Sequence, residues 1–416
     1  MTTSATMRRL CFGWHASEAR FGFPSTSFGA GGLPRSNDAD LRSLADLFDR
    51  TGNRGYLVIG EAAMRLFDCD RDASGSIDLP RLLNAEDPER LAALLNHRFD
   101  ALLLPMAYEI TPSHSYDRLA RLLASLTIPV VTLGLGIDCD EDLPIDRFHP
   151  SVTTLLGLLD RHALVFGVRA ETTRRWLAAN GFHNAVALGC PSLHLYPSAF
   201  LALRSRRVPP ADGRIATGGY LLRNEERSRW LCALFEGVDA TYILQDELFG
   251  AGLLDEDTVI IDDATGSVDP ALIAPIIRRS IGRTPPFRRY AYFHSLDAWR
   301  LCCAGHDLYV GDRFHGAIVA LQVGRPALLF TKDVRARELS QFYGIPTADL
   351  EQAAAGGLRD LVAAQLTPTA MERFIDVWSA RHGAFLKALG DAGLRFTAAS
   401  ERLLRRSRPF VASDVA

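Results

Sequence analysis

Short apolar runs alternate along the chain with segments whose apolar residues recur every three to four positions. This alternation predicts an α/β architecture built on parallel sheets. In the first half, strands are predicted at Ala101–Met106, Val130–Leu135, Leu164–Val168 and Ala185–Leu188. Helices are predicted at Tyr116–Leu126, Ser151–Leu159 and Glu171–Ala179, the last closed by Gly181. Ahead of them lie a Gly-rich stretch from Phe21 to Pro34 and a helix near Asp38 to Asp49. The stretch from Tyr196 to Gly213 holds three prolines and three arginines without clear period, and reads as a linker. A second series follows, with strands at Arg214–Tyr220, Ala240–Leu244, Thr258–Ile261, Arg289–Phe293, Leu308–Val310 and Ala327–Phe330. Its helices are Glu225–Phe235, Pro270–Ser280, Leu296–Cys303 and Ala317–Val323, then Val334–Tyr343, Gly357–Gln365 and Thr369 to Leu389. Two doubly wound domains are expected, residues 1–205 and 206–380, with a helical tail, 381–416, able to pack back on the first.

Composition narrows the function classes. Of 416 residues, 48% are apolar and 23% charged, enough apolar material for sizeable cores. A net charge of −3 argues against a bulk cationic surface for nucleic acid or anionic membrane. Lys332 and Lys387 are the only lysines among 46 basic residues. Arginine offers planar two-pronged contacts to carboxylates and phosphates. The excess also fits a base-composition bias. If a lysine assists chemistry, Lys332 is the better placed. Seven irregularly spaced cysteines without a C-x-x-C fit a reducing compartment, and no apolar run reaches membrane-spanning length. The expectation is a cytoplasmic protein with no membrane span, which leaves room for peripheral membrane contact. The acidic runs Asp138–Asp142 and Asp262-Asp263 have no histidine at ligand spacing, so they read as solvated loops and no metal is expected.

In open α/β sheets, ligands sit beyond the carboxyl ends of the strands, so the residues just after each predicted strand are the candidates. The strongest segment is Gly311-Asp-Arg-Phe-His-Gly316, which places Arg313 and His315 at a helix start. Backbone N–H groups there attract anions, an arginine adds a fork, and a histidine can move a proton near neutral pH. The plainer reading is a pair of capping residues. Arg169 follows the strand ending at Val168, as a ligand-binding cation or a surface ion-pair partner. Gly189-Cys-Pro-Ser192 follows another strand; Cys190 reads as a packed residue more than a nucleophile, and Ser192 as a hydrogen-bonding group. In Thr51-Gly-Asn-Arg-Gly55, glycines permit close backbone approach, and Gly52 and Asn53 are candidate binding positions, though a plain turn has the same pattern. Lys332, Asp333 and Arg335 form either a cleft cluster or a solvated helix start, and His294 either faces the cleft or caps a helix.

In order along the chain, these blocks resemble the polysaccharide pyruvyl transferase family. Thr51-Gly-Asn53 with Val58–Ala62, Val168-Arg169, Gly189–Ser192, Asp312–Ala317 through Gly324-Arg-Pro326, and Asp333–Leu339 carry the likeness over roughly residues 50 to 345. Phe314 departs from the leucine frequent at that position. The resemblance implies a GT-B-like pair of Rossmann-like domains with the active site in the inter-domain cleft. It implies transfer of the enolpyruvyl group of phosphoenolpyruvate onto a sugar, giving a pyruvate ketal, with a glycan or a lipid-linked or nucleotide-linked sugar as acceptor. Arg313 and His315 would carry over as the catalytic pair and Arg169 as a donor-binding arginine, with no cofactor beyond the donor substrate. A nucleotide-sugar glycosyltransferase of the same architecture, and a catalytically silent carbohydrate-binding homologue, are the alternatives.

Overall fold

A computed structural model describes residues 7–13, 54–77, 79–107, 110–138, 143–205, 213–222, 224–247, 260–262, 265–293, 295–331 and 334–397. The first half contains β1 (Leu10–Gly13), α1 (Arg54–Leu66), β2 (Gly75–Ile77), α2 (Leu79–Ala85), α3 (Pro88–Arg98), β3 (Ala101–Pro105), α4 (Asp117–Ser125), β4 (Val130–Leu135), α5 (Pro150–His162), β5 (Ala163–Val168), α6 (Glu171–Ala179) and β6 (Ala185–Ala187). Its six strands pair in the order β2-β1-β3-β4-β5-β6, all parallel. Parallel pairing needs crossover helices, which bury both faces of the strands. That is why β3 and β4 are buried along their whole length.

After α7 (Pro197–Ala202), the second half contains β7 (Ile215–Thr217), α8 (Glu225–Leu234), β8 (Ala240–Ile243), β9 (Ile260–Asp262), β10 (Ser267–Val268), α9 (Pro270–Ile281), β11 (Arg289–Ala291), α10 (Leu296–Ala304), β12 (Leu308–Gly311), α11 (Phe314–Gln322), β13 (Ala327–Phe330), α12 (Val334–Tyr343), β14 (Thr347–Ala348), α13 (Leu350–Gly356), α14 (Leu358–Gln365) and α15 (Pro368–Asp391). Eight strands run in the order β14-β13-β12-β7-β8-β11-β10-β9, and only β10 pairs antiparallel. The molecule is thus α/β with two Rossmann-like sheets, as the strand and helix rhythm predicts.

Two helices join the halves. In α1, Leu57, Val58 and Ile59 pack into the second sheet's core, while Ala62, Ala63, Met64 and Leu66 pack beside β1, β3 and β4 of the first. A helix apolar on nearly every side must be buried on every side. α15 does the same: Phe374, Ile375 and Trp378 belong to the second core, and Phe385, Leu386 and Leu389 to the first-sheet cluster with Phe12 and Leu103.

The structure departs from the expected elements at three places. The start of the expected linker is helical: Pro197 opens α7, and Phe200 stacks on Trp378 with centroids 4.7 Å apart. β1, β2, α2 and α3 were not foreseen; Gly75-Ser-Ile77 is too short and polar to show a strand period. α11 begins at Phe314 rather than Ala317, with Arg313 at its N-cap. The expected helix at Asp38–Asp49 and the Gly-rich stretch lie outside the described residues.

Candidate active site at the domain seam

The loops after β7, β8, β11 and β12 of the second sheet meet one another and the first turn of α1. β12 stops at Gly311, and the Asp312 N–H donates to Gly218 O at 2.8 Å. Arg227 of α8 grips the Asp312 carboxylate through Nε and Nη2, each at 3.1 Å. Arg313 then turns inward and is only 2% exposed. Its Nε donates to Gly219 O at 2.6 Å, and Nη1 to Asp246 Oδ2 at 3.3 Å. Nη2 donates to Asp246 Oδ1 and, at 3.0 Å, to Glu247 Oε1. The Tyr220 ring covers the guanidinium, with its centroid 3.6 Å from Cζ. Burial alone works against this charge; Glu247, Tyr220 and Asp246 outweigh it and hold Arg313 protonated beyond its ordinary range. Glu247 is itself fixed. It accepts from Tyr242 Oη at 2.9 Å and from the Gln245 N–H at 2.7 Å.

Two residues further on, half-buried His315 lies in the first turn of α11. The first turn of α1, from the other half of the chain, is pressed against its ring. A Cβ at Gly55 would collide with His315 Nδ1 and stand 2.9 Å from Cγ. Arg54, 1% exposed, begins α1, and its Cζ is 5.5 Å from the centroid of the Tyr292 ring. Burial raises the Tyr292 phenol; Arg54 pulls it down, while Glu247 and Asp246 push it up. Arg54, Glu247 and Asp246 thus all act on Tyr292. Two helix N-termini, two arginines and an imidazole converge here, with Asp246 and Glu247 in balance. The helix ends and arginines favour negative charge, and the imidazole can carry a proton.

A second network locks the seam. Glu61 of α1 is wholly buried; Arg300 of α10 holds it in a forked pair, with Nη1 to Oε1 at 2.8 Å, and Arg65 adds a contact at 2.9 Å. Arg300 Nε donates to Gln322 Oε1 at 3.0 Å, and Gln322 Nε2 to Ser192 O at 2.8 Å.

A family model described as polysaccharide pyruvyl transferase matches residues 58–333. The chain belongs to the polysaccharide pyruvyl transferase family. The match covers α1 from Val58 onward, the strand-end arginine, and the Arg-x-His turn of this transferase. No curated protein matches the chain. Among solved structures it is similar to Anabaena HepE in complex with UDP and glucose, at 11% identity over 78% of this chain and 81% of that one, with a TM-score of 0.38. It is also similar to S. aureus MnaA with UDP, at 9% identity over 96% and 95%, TM-score 0.45. A UDP-GlcNAc 2-epimerase from Neisseria meningitidis bound to UDP-GlcNAc is similar at 8% identity over 92% and 100%, TM-score 0.45.

The family member places its expected residues unevenly. Arg313 and His315 stand at the seam, but the Arg313 fork is engaged by Asp246 and Glu247. This corrects the expectation of an open two-pronged clamp: a cation buried this deeply needs its own counter-charges. Arg169 follows β5 as expected, and its Nε and Nη2 donate to Gly134 O at 2.9 Å and Met106 O at 2.7 Å. It ties the ends of β3 and β4 together, rather than forming a surface ion pair. Ser192 is fully buried, its Oγ 2.9 Å from Cys190 Sγ, so it belongs to the packed turn Pro191–His194 and not to an open ligand surface. Gly52, Asn53, His294, Lys332 and Asp333 lie outside the described residues, as does the Arg335 side chain, although its backbone lies in α12. Arg54, Asp246, Glu247 and Tyr292 were missed. For two of these places the signal was present: Asp246-Glu247 follow the predicted strand Ala240–Leu244, and Arg54 sits inside the Thr51–Gly55 motif, whereas Tyr292 falls within the predicted strand Arg289–Phe293.

Proposed function

We propose that this transferase moves the enolpyruvyl carbons of phosphoenolpyruvate onto two hydroxyls of one sugar, closing a pyruvate ketal and releasing inorganic phosphate. One sugar oxygen bonds to C2 of the donor while a proton reaches the methylene carbon, which becomes a methyl group. The second oxygen then bonds to C2 as the C2–O bond to phosphate breaks. Of the two hydroxyl protons, one balances the proton on the methyl carbon and the other leaves with phosphate. His315 serves as the acid and base, a role worth about 10²–10⁴-fold in rate. The donor's carboxylate and phosphate call for fixed cations and helix N-termini, and the seam concentrates both. The observation that most supports the reading is the position of His315, between two helix starts and beside two buried arginines, in a member of this family.

The test is a coupled phosphate-release assay with phosphoenolpyruvate and a panel of sugars. The expected result is phosphate release that requires an acceptor and is lost in His315→Ala at unchanged melting temperature. Full activity of His315→Ala would remove that residue from the chemistry. Stabilisation by a nucleotide diphosphate with none by phosphoenolpyruvate would favour glycosyl transfer instead.

A further inference from the structure

The first turn of α1 enters the second half's strand-end cluster at the point where chemistry is expected. Arg54 extends from it, 1% exposed, with its guanidinium over the Tyr292 ring. Gly55, the next residue, touches His315 so closely that no side chain fits between them. In that turn, Arg54 brings charge and Gly55 allows contact. Arg313, from the second half, is held by two carboxylates, a carbonyl and a ring. Arg54 is the arginine that the first half of the chain places one residue from the contact with His315.

We propose that Arg54 and Gly55 complete the active site across the seam. Arg54 is the binding cation for the phosphate or carboxylate of an anionic donor. Gly55 is a positioning residue, whose missing side chain lets α1 seat against the imidazole of His315. The assignment builds on the proposed donor chemistry, but it makes a separate claim: anion recognition needs both halves of the chain. Arg54 supplies charge to binding, so its loss appears chiefly in donor affinity. Gly55 supplies only geometry to His315, so its loss appears chiefly in turnover.

Calorimetric binding of phosphoenolpyruvate, inorganic phosphate and UDP to the full-length protein tests this, alongside steady-state phosphate release. Arg54→Met is expected to weaken phosphoenolpyruvate binding and raise its KM about 10- to 100-fold, as for a lost charged hydrogen bond. Arg54→Lys should recover part of that loss. Gly55→Ala is expected to lower kcat at least about tenfold with a smaller change in donor KM, and to shift the kcat–pH profile, because the group displaced is the proton carrier. Arg289→Met, which removes a surface pair with Asp239, is the control and should match the wild type. Melting curves identify variants that fail to fold, and Arg54→Lys then carries the test. Unchanged donor affinity in folded Arg54→Met, or an unchanged kcat and pH profile in folded Gly55→Ala, would overturn the corresponding half of the proposal. If the wild type binds UDP or phosphate but not phosphoenolpyruvate, the donor reading fails, while Arg54 is still judged on the anion that binds. Binding of none of the three overturns both.

Discussion

At Arg313 the local charge balance is set by Asp246 and Glu247, 67 and 66 residues away in sequence. Asp246→Ala leaves this buried cation short of a partner. An expected loss of about 3–5 kcal/mol, the usual cost of breaking a buried pair, is readable by urea unfolding. The Arg-x-His turn was legible because it falls just after an apolar strand. Its counter-charges were harder to see, since nothing in their spacing indicates that β8 and β12 bring them together. A buried imidazole pair makes a further residue-scale prediction. His194 Nδ1 lies 3.1 Å from His382 Nδ1, between Phe385 and Trp378, and Tyr343 Oη is 3.0 Å from His194 Nε2. Burial pushes His382 down to about 4; burial and His382 together push His194 well below its usual range. The unfolded chain therefore takes up these protons first as pH falls. The stability they contribute is full above the unfolded value of about 6.5 and lost towards pH 4, about 3 kcal/mol from His382 alone. Urea unfolding at pH 7 and pH 4.5 should show a smaller loss in His382→Leu than in the wild type.

Among the elements, α1 governs the seam. Its apolar residues run nearly all the way round, so burial on several sides could be read from sequence, whereas its division between two cores could not. Glu61 is the buried acid on that helix and needs Arg300. Arg300→Met is expected to cost about 3–5 kcal/mol, and Glu61→Gln/Arg300→Met less than the sum of the single changes, because the pair acts as a unit. The turn after β6 makes a second seam contact. Gly189 has φ +82°, and a Cβ there would overlap Tyr343 Oη from α12. Gly189→Ala should cost upwards of about 1–3 kcal/mol, from backbone strain plus the collision, and lower the melting temperature measured calorimetrically. The glycine was visible as part of a strand-end block; its tyrosine partner, 154 positions on, was not.

For the molecule as a whole, two largely parallel sheets were legible because buried crossover strands leave dense apolar runs such as Val130–Leu135 and Ala327–Phe330. The joining of the halves was less legible, because it rests on side chains that meet only once both sheets exist. α15 crosses from one core to the other, α1 wedges between them, and His315 sits at their junction. The proposed reaction closes a pyruvate ketal at this junction. The most direct measurement is NMR of the sugar product formed from phosphoenolpyruvate in D₂O. Ketal closure gives a new pyruvyl methyl group carrying one deuteron, with no vinyl protons and one phosphate released per ketal. A product that retains its vinyl protons, or an acceptor left unmodified while phosphate is released, would contradict it.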